Sequence, residues 1–134
     1  NGENVYHHLG VSGFATHAVV DAASAVVVPP ELPADIAAVL GCAVLTGGGA
    51  VLNAAKPGPE DSVMIVGLGG VGMAALIVAL AQDVKEVIAV DALEEKLERA
   101  KELGAGRVFT PQEVAEQGIS PKAMTVLKGT VWAV

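Results

Sequence analysis

The stretch "SVMIVGLGGVGMAALIVALA", residues 62–81, decides the fold. It opens as a short apolar run, breaks into four glycines within the six residues 67–72, and resumes Ala- and Leu-rich with helical spacing. The reading is strand, glycine turn, helix. A parallel strand that turns directly into a helix leaves the first backbone N–H groups of that helix unpaired, with the positive end of the helix dipole behind them. A phosphate fits there. In Gly67-Leu68-Gly69-Gly70-Val71-Gly72 the G-x-G-x-x-G spacing gives each glycine a task. Gly67 permits the tight turn, Gly69 lets the backbone approach a pyrophosphate, and Gly72 lets helix and strand pack closely. Glycines also serve tight packing where no ligand binds, so context decides. The turn follows a predicted strand and opens a predicted helix, and Asp91 ends the next strand about 20 residues on, where a carboxylate can accept from adenosine ribose hydroxyls. The rival reading of Asp91 is a solvated acid at a strand end. Ala92 follows it, and no Arg stands near in sequence to receive a 2′-phosphate, which favours NAD over NADP.

Downstream, "EVIAVD" reads as a second strand and "RVFT" as a third. Between them, "LEEKLERAKELG" is an amphipathic helix with Leu93, Leu97, Ala100 and Leu103 on one stripe and Gly104 at its C-terminal cap. Thr110, Pro111 and Glu113 place an N-cap, a first-turn proline and a capping-box acid in register for a short helix to about Gly118. Upstream, "ADIAAVLGCAVLTGGGAVLNAAK" is expected as two helical pieces around Gly41 and Gly47 to Gly49, stopped by "KPGPED". Residues 14–28 are expected as strand, turn, strand, ended by Pro29, Pro30 and Pro33. The alternation describes an α/β fold, a partial Rossmann domain with about half of a doubly wound parallel sheet.

At 134 residues the chain is one domain or a piece of a larger one. Its 52% hydrophobic and 3% aromatic content suits buried strands covered by Ala-rich helices. The net charge of −7, with no Lys or Arg cluster, predicts neither a nucleic-acid nor a membrane partner. Val63 to Ala81 approaches the length of a membrane span, but its glycines and the flanking Asp61 and Asp83 argue for strand–turn–helix. The single Cys42 forms no internal disulfide, and the N-terminus lacks the pattern of a signal peptide, so a cytoplasmic protein is expected.

Three segments, "HHLGVSGFATHAVVD", "LGCAVLTGGGAVLNAAKPGPEDSVMIVGLGGVG" and "AVDALEEKLERAKELGA", together resemble the zinc-dependent alcohol dehydrogenases of the medium-chain dehydrogenase/reductase family, over about residues 5–110. The resemblance implies an oxidoreductase that passes hydride between an alcohol or aldehyde and NAD, with a catalytic zinc. It makes Cys42 one thiolate ligand of that zinc, and puts Thr46 and Val71 beside the nicotinamide. By the same resemblance Lys96 contacts the adenosine ribose, and His8 and Leu9 line the substrate pocket. Taken alone, Cys42 reads as a small core hydrophobe, Thr46 as a helix-starting residue and Lys96 as a solvated member of a charged face.

The family's other two ligands of the catalytic zinc, a Cys and a His, come from segments upstream of Asn1, and the cysteine cluster of its structural zinc is missing. His7, His8 and His17 are not at those positions. "ISPKAMTVLKGTVWAV" resembles the family's return to the catalytic domain, yet it follows "PQEVAEQG" directly, as though the second half of the sheet were deleted. The expected division is a catalytic-domain remnant at 1–42, the first half of an NAD-binding domain at 43–118 and a returning segment at 119–134. Such a segment is expected to be inactive alone, while intact relatives are expected to be homo-oligomers. Two other readings stand beside the enzyme: a non-catalytic dinucleotide-binding module, and an adenosylmethionine-dependent methyltransferase, which also uses a Gly-rich turn and a strand-end acid.

Overall fold

The computed structural model describes residues 2–4 and 13–119. His7, His8, Leu9 and residues 120–134 lie outside them, and with these most of the expected returning segment. Contacts divide the chain into two units, Asn1–Pro33 and Ala34–Val134. In the first, the turn expected near Asp21 is present as a short 3₁₀ helix, Ala22–Ser24, whose cap is the Asp21 carboxylate accepting from the Ala23 N–H at 2.8 Å. The flanking strands are not formed. Val19, Val20 and Val26 to Val28 favour extended backbone, but among the described residues no neighbour supplies a ladder, and all five are exposed.

The second unit begins with helix α1, Ala34–Ala55, one continuous helix where two pieces were expected. It passes through residues 42 and 43 without a break. Two stretches of it, Leu40–Val44 and Ala50–Ala55, are wound in wider π-helical turns. It ends at Lys56, which adopts a left-handed φ of 48° and donates its N–H to the Val51 carbonyl at 2.8 Å. Then follow β1 (Ser62–Val66), α2 (Gly70–Leu80), β2 (Glu86–Val90), α3 (Glu94–Leu103), β3 (Arg107–Phe109) and α4 (Pro111–Glu116).

The three strands form a parallel sheet in the order β1-β2-β3, with Ile65 opposite Ala89 and Ala89 opposite Val108. This is the fold class expected, and residues 62–80 form the expected strand–turn–helix. Strand β1 alternates, burying Val63 and Ile65, whereas β2 buries Val87 through Val90 in an unbroken run because it is covered on both faces. Helix α2 is apolar all round for a related reason. One side lies on β1 and β2 and the other meets α1, so Ala74, Ala75, Leu76 and Ala79 are all buried. Helix α3 turns Leu97 and Ala100 inward and ends at Gly104, φ 113°; Leu93, expected on the same stripe, is its N-cap and half exposed. Helix α4 carries the predicted capping box: the Thr110 N–H donates to Glu113 at 2.7 Å and the Glu113 N–H to the Thr110 hydroxyl at 3.3 Å.

The glycines that suggested a break in α1 have another use. A Cβ on Gly47 would overlap the Val71 carbonyl oxygen and stand 2.8 Å from the Ala75 nitrogen, and one on Gly48 would stand 3.2 Å from the Val78 side chain. The two helices thus touch backbone to backbone. By length and composition α1 is apolar enough to cross a membrane, and Leu45 and Leu52 on it are exposed, while Gly47, Gly48 and Val51 are its buried contact with the domain.

The short strand β3 is tied in by the Gly106 N–H donating to the Val87 carbonyl at 2.8 Å and by Arg107, whose guanidinium donates twice to Glu86 at 2.6 and 2.7 Å. Those bonds hold the Glu86 carboxyl below its ordinary value of 4.5. Because the folded value is depressed, the pair's contribution is complete above the unfolded pKa and is lost as pH falls through the folded one. Glu86→Gln should therefore flatten the acid limb of a stability–pH curve, and at neutral pH it should cost below about 1 kcal/mol, as expected for a partly exposed pair.

Substitutions at the glycines should separate by what a Cβ meets. Gly72→Ala, where the Cβ would overlap the Gly67 carbonyl, and Gly47→Ala should each lower the stability read by urea unfolding, by about 1–3 kcal/mol. Gly41→Ala, with nothing within 4 Å, should instead stabilise by about 0.5–1 kcal/mol through helix propensity. Equal shifts at Gly41 and Gly72 would show that the close contact carries no energy.

Candidate functional site

Strand β1 ends at Val66, and Gly67 turns the chain with φ 87°, a left-handed conformation that favours glycine. Its N–H donates to the Val90 carbonyl at 2.7 Å, so the turn starts pinned to the end of β2. Gly69 caps α2 in extended conformation, and its carbonyl accepts from the Met73 N–H at 2.8 Å. The helix then doubles back so tightly that Gly72 lies against the Gly67 carbonyl. Gly69 differs from its neighbours: nothing lies within 4 Å of where its Cβ would stand. It faces a cleft of about 370 Å³ walled by the glycine turn, Ala43, Asp91 and Lys96.

Asp91 stands just past the end of β2, its side chain only 9% exposed. One carboxylate oxygen accepts from the Leu68 N–H at 2.6 Å and the other from the Leu93 N–H at 2.9 Å. The Lys96 ammonium lies 3.8 Å away. Burial by itself would push this carboxyl up; the Leu68 and Leu93 amides, the Lys96 charge and the Ala92 amide outweigh it and hold it below its ordinary 3.8. The acid is therefore an anion in neutral solution.

Of the candidate residues, Gly67, Gly69, Gly70, Val71, Gly72, Asp91 and Lys96 line this one cleft. Leu68 does not: its side chain is buried in the core, and its contribution is the N–H that meets Asp91. Cys42 and Thr46 are both exposed on α1, Cys42 within the first wide turn, a kind of distortion frequent at functional sites. Cys42 adjoins Ala43, whose methyl stands 3.5 Å from where a Cβ on Gly70 would lie. Sequence reasoning missed Ala43 as a wall of the cleft, since an alanine carries no chemical signature. His17, exposed and beside the Thr16 hydroxyl at 3.2 Å, belongs to the other unit.

The set of groups suits binding: helix-start amides for an anion, a buried carboxylate to accept hydrogen bonds, and an ammonium to donate them. A dinucleotide fits, because Gly69 leaves space where a pyrophosphate would approach and Asp91 stands at the next strand end. A complete zinc centre does not fit. Among the described residues no three His, Cys, Asp or Glu side chains cluster, and Cys42 offers one ligand where three are needed.

Comparison with known proteins agrees with this geometry. A profile of the family described as zinc-binding dehydrogenase matches residues 70–128. An S-(hydroxymethyl)glutathione dehydrogenase from Synechocystis sp. is 37% identical over 134 residues, 100% of this chain and 35% of its own length. Benzyl alcohol dehydrogenase from Acinetobacter calcoaceticus superposes with a TM-score of 0.74 at 34% identity, over 85% of this chain and 32% of its own. An alcohol dehydrogenase from E. coli CFT073, solved in complex with NADH, gives 0.61 at 29% identity, over 76% and 32%. The chain thus spans about a third of the length of these relatives. Neither the non-catalytic module nor the methyltransferase finds support among them. A glycine turn with its acid on a parallel sheet, matched along its length by enzymes of one kind, makes the chain similar in both sequence and fold to the zinc-dependent alcohol dehydrogenases of the medium-chain dehydrogenase/reductase family.

Proposed function

We propose that the protein to which this chain belongs passes hydride between an alcohol or aldehyde and NAD, and that this chain supplies the pyrophosphate and adenosine-ribose half of the coenzyme site. The observation that carries the reading is the single cleft joining the glycine turn to Asp91 and Lys96. The start of α2 holds the pyrophosphate, Asp91 accepts from the ribose hydroxyls and Lys96 donates to them. Thr46 and Val71 flank the nicotinamide, and His8 and Leu9 line the substrate pocket. Cys42 is one thiolate ligand of a zinc whose other ligands lie outside the described residues. On this reading 1–42 belong to a catalytic domain, 43–118 to the coenzyme domain and 119–134 to the returning segment. We place the intact protein in the cytoplasm as a homo-oligomer with small-molecule substrates, without nucleic-acid or membrane partners.

Titration of the full chain with NAD and NADP tests the coenzyme assignment. Gly69→Val should weaken both alike, by at least about tenfold, because it fills the space of the phosphates common to both. Asp91→Ser should move the NAD:NADP affinity ratio towards NADP, since a carboxylate repels a 2′-phosphate and a hydroxyl does not. An unchanged ratio would remove Asp91 from coenzyme choice. Stabilisation in a thermal-shift assay by S-adenosylmethionine and not by NADH would replace the dehydrogenase reading altogether.

The metal assignment has its own check. The chain alone should retain no stoichiometric zinc after dialysis against a mild chelator, because one thiolate does not hold the ion. Retained zinc that Cys42→Ser leaves in place would show a site built without Cys42.

A further inference from the structure

We propose that Asp91, besides meeting the ribose, fixes the shape of the glycine turn before any coenzyme arrives. The inference rests on the dinucleotide reading above for its functional meaning, but its geometry stands in the ligand-free chain. Leu68 sits between Gly67 and Gly69, two residues with no side chain to restrain the backbone. A turn of this composition has the most conformational freedom to lose, and something must hold it. Two contacts converge on Leu68. Its side chain is buried, 3% exposed, in the core with Ile65 and Leu76, and its N–H is held by the Asp91 carboxylate at 2.6 Å.

The second oxygen of Asp91 takes the Leu93 N–H at 2.9 Å, so one carboxylate ties the β1–α2 turn to the entry of α3, 23 positions apart for the Leu68 bond. A neutral side chain cannot take both amides equally well. An ionised carboxylate has about four acceptor sites, more than the Leu68 and Leu93 amides use, which leaves capacity for ribose hydroxyls on the side facing the cleft. Among the described residues Lys96 is the charged group beside it, 3.8 Å from the oxygen that holds Leu68. Asp91 is therefore a positioning residue for the phosphates as well as a direct contact for the ribose. Its loss should be felt by a ligand that has no ribose hydroxyls to offer.

Two measurements on the full chain test this. In ligand-free protein, Asp91→Ala should speed hydrogen exchange of the Leu68 amide by about tenfold or more, as loss of a hydrogen bond to a charged acceptor implies. The amides of Ile88 and Ala89 in β2 should keep their rates, which reports an intact sheet. Asp91→Asn, with one accepting oxygen, should fall between wild type and Asp91→Ala, and it serves as the readout if the alanine variant fails to fold. In the second measurement, NAD lacking both adenosine ribose hydroxyls should bind wild type about tenfold more tightly than it binds Asp91→Ala. Equal binding of that analogue by both, or an unchanged Leu68 exchange rate in a folded variant, would overturn the proposal. If wild type binds neither NAD nor the analogue, the dinucleotide reading fails, and the exchange rates still decide whether Asp91 holds the turn.

Discussion

Backbone has to touch backbone at the start of α2, and the placement of the rest of the domain follows from that contact. On one side Gly72 lies on the carbonyl of Gly67; on the other Gly47 lies on the carbonyl of Val71. Side chains at either place would lift the helix off the turn or push α1 away. With both absent, α2 is held between sheet and α1 so closely that it can be apolar all round, and its buried face is mostly alanine. Small residues here stand where many domains use large aromatic side chains, which make up only 3% of this chain.

Much of this was legible in the residues. Residues 62–80 change from a strand to a helix at a glycine turn, and Thr110, Pro111 and Glu113 mark a helix start by chemistry that acts within one turn. Such signals are local, so sequence carries them. What was misread depends on neighbours distant in the chain. Gly47 to Gly49 have poor helix propensity, which argued for a break, but contact with α2 overrides propensity and keeps α1 continuous. Val26 to Val28 have strand propensity and no partner among the described residues, so no strand forms. For the candidate site, the glycine turn and Asp91 could be picked out by spacing, whereas Ala43 and the amide of Leu68 could not. Neither has a distinctive side chain, and each matters through where the fold puts it.

Charge in the cleft follows an economical pattern. The domain places a carboxylate with 9% of its side chain exposed beside the end of β2 and meets it chiefly with backbone amides, leaving a single lysine at 3.8 Å. The anion is thus solvated largely by backbone groups, without the side-chain ordering that a second or third cation would require. The same arrangement leaves the helix-start amides of α2 as the attractive element for an incoming phosphate.

Gly69 stands apart from Gly67 and Gly72 in a way that bears on descent. The latter two are demanded by the chain's own geometry, one by a left-handed φ and one by a carbonyl in the way, while Gly69 has open space around it. Purifying selection on folding would preserve Gly67 and Gly72 and be blind to Gly69. A lineage released from coenzyme binding would keep its sheet and its tight turn and let that one position drift, so the residue at 69 would record, in a set of descendants, which of them still work with a nucleotide.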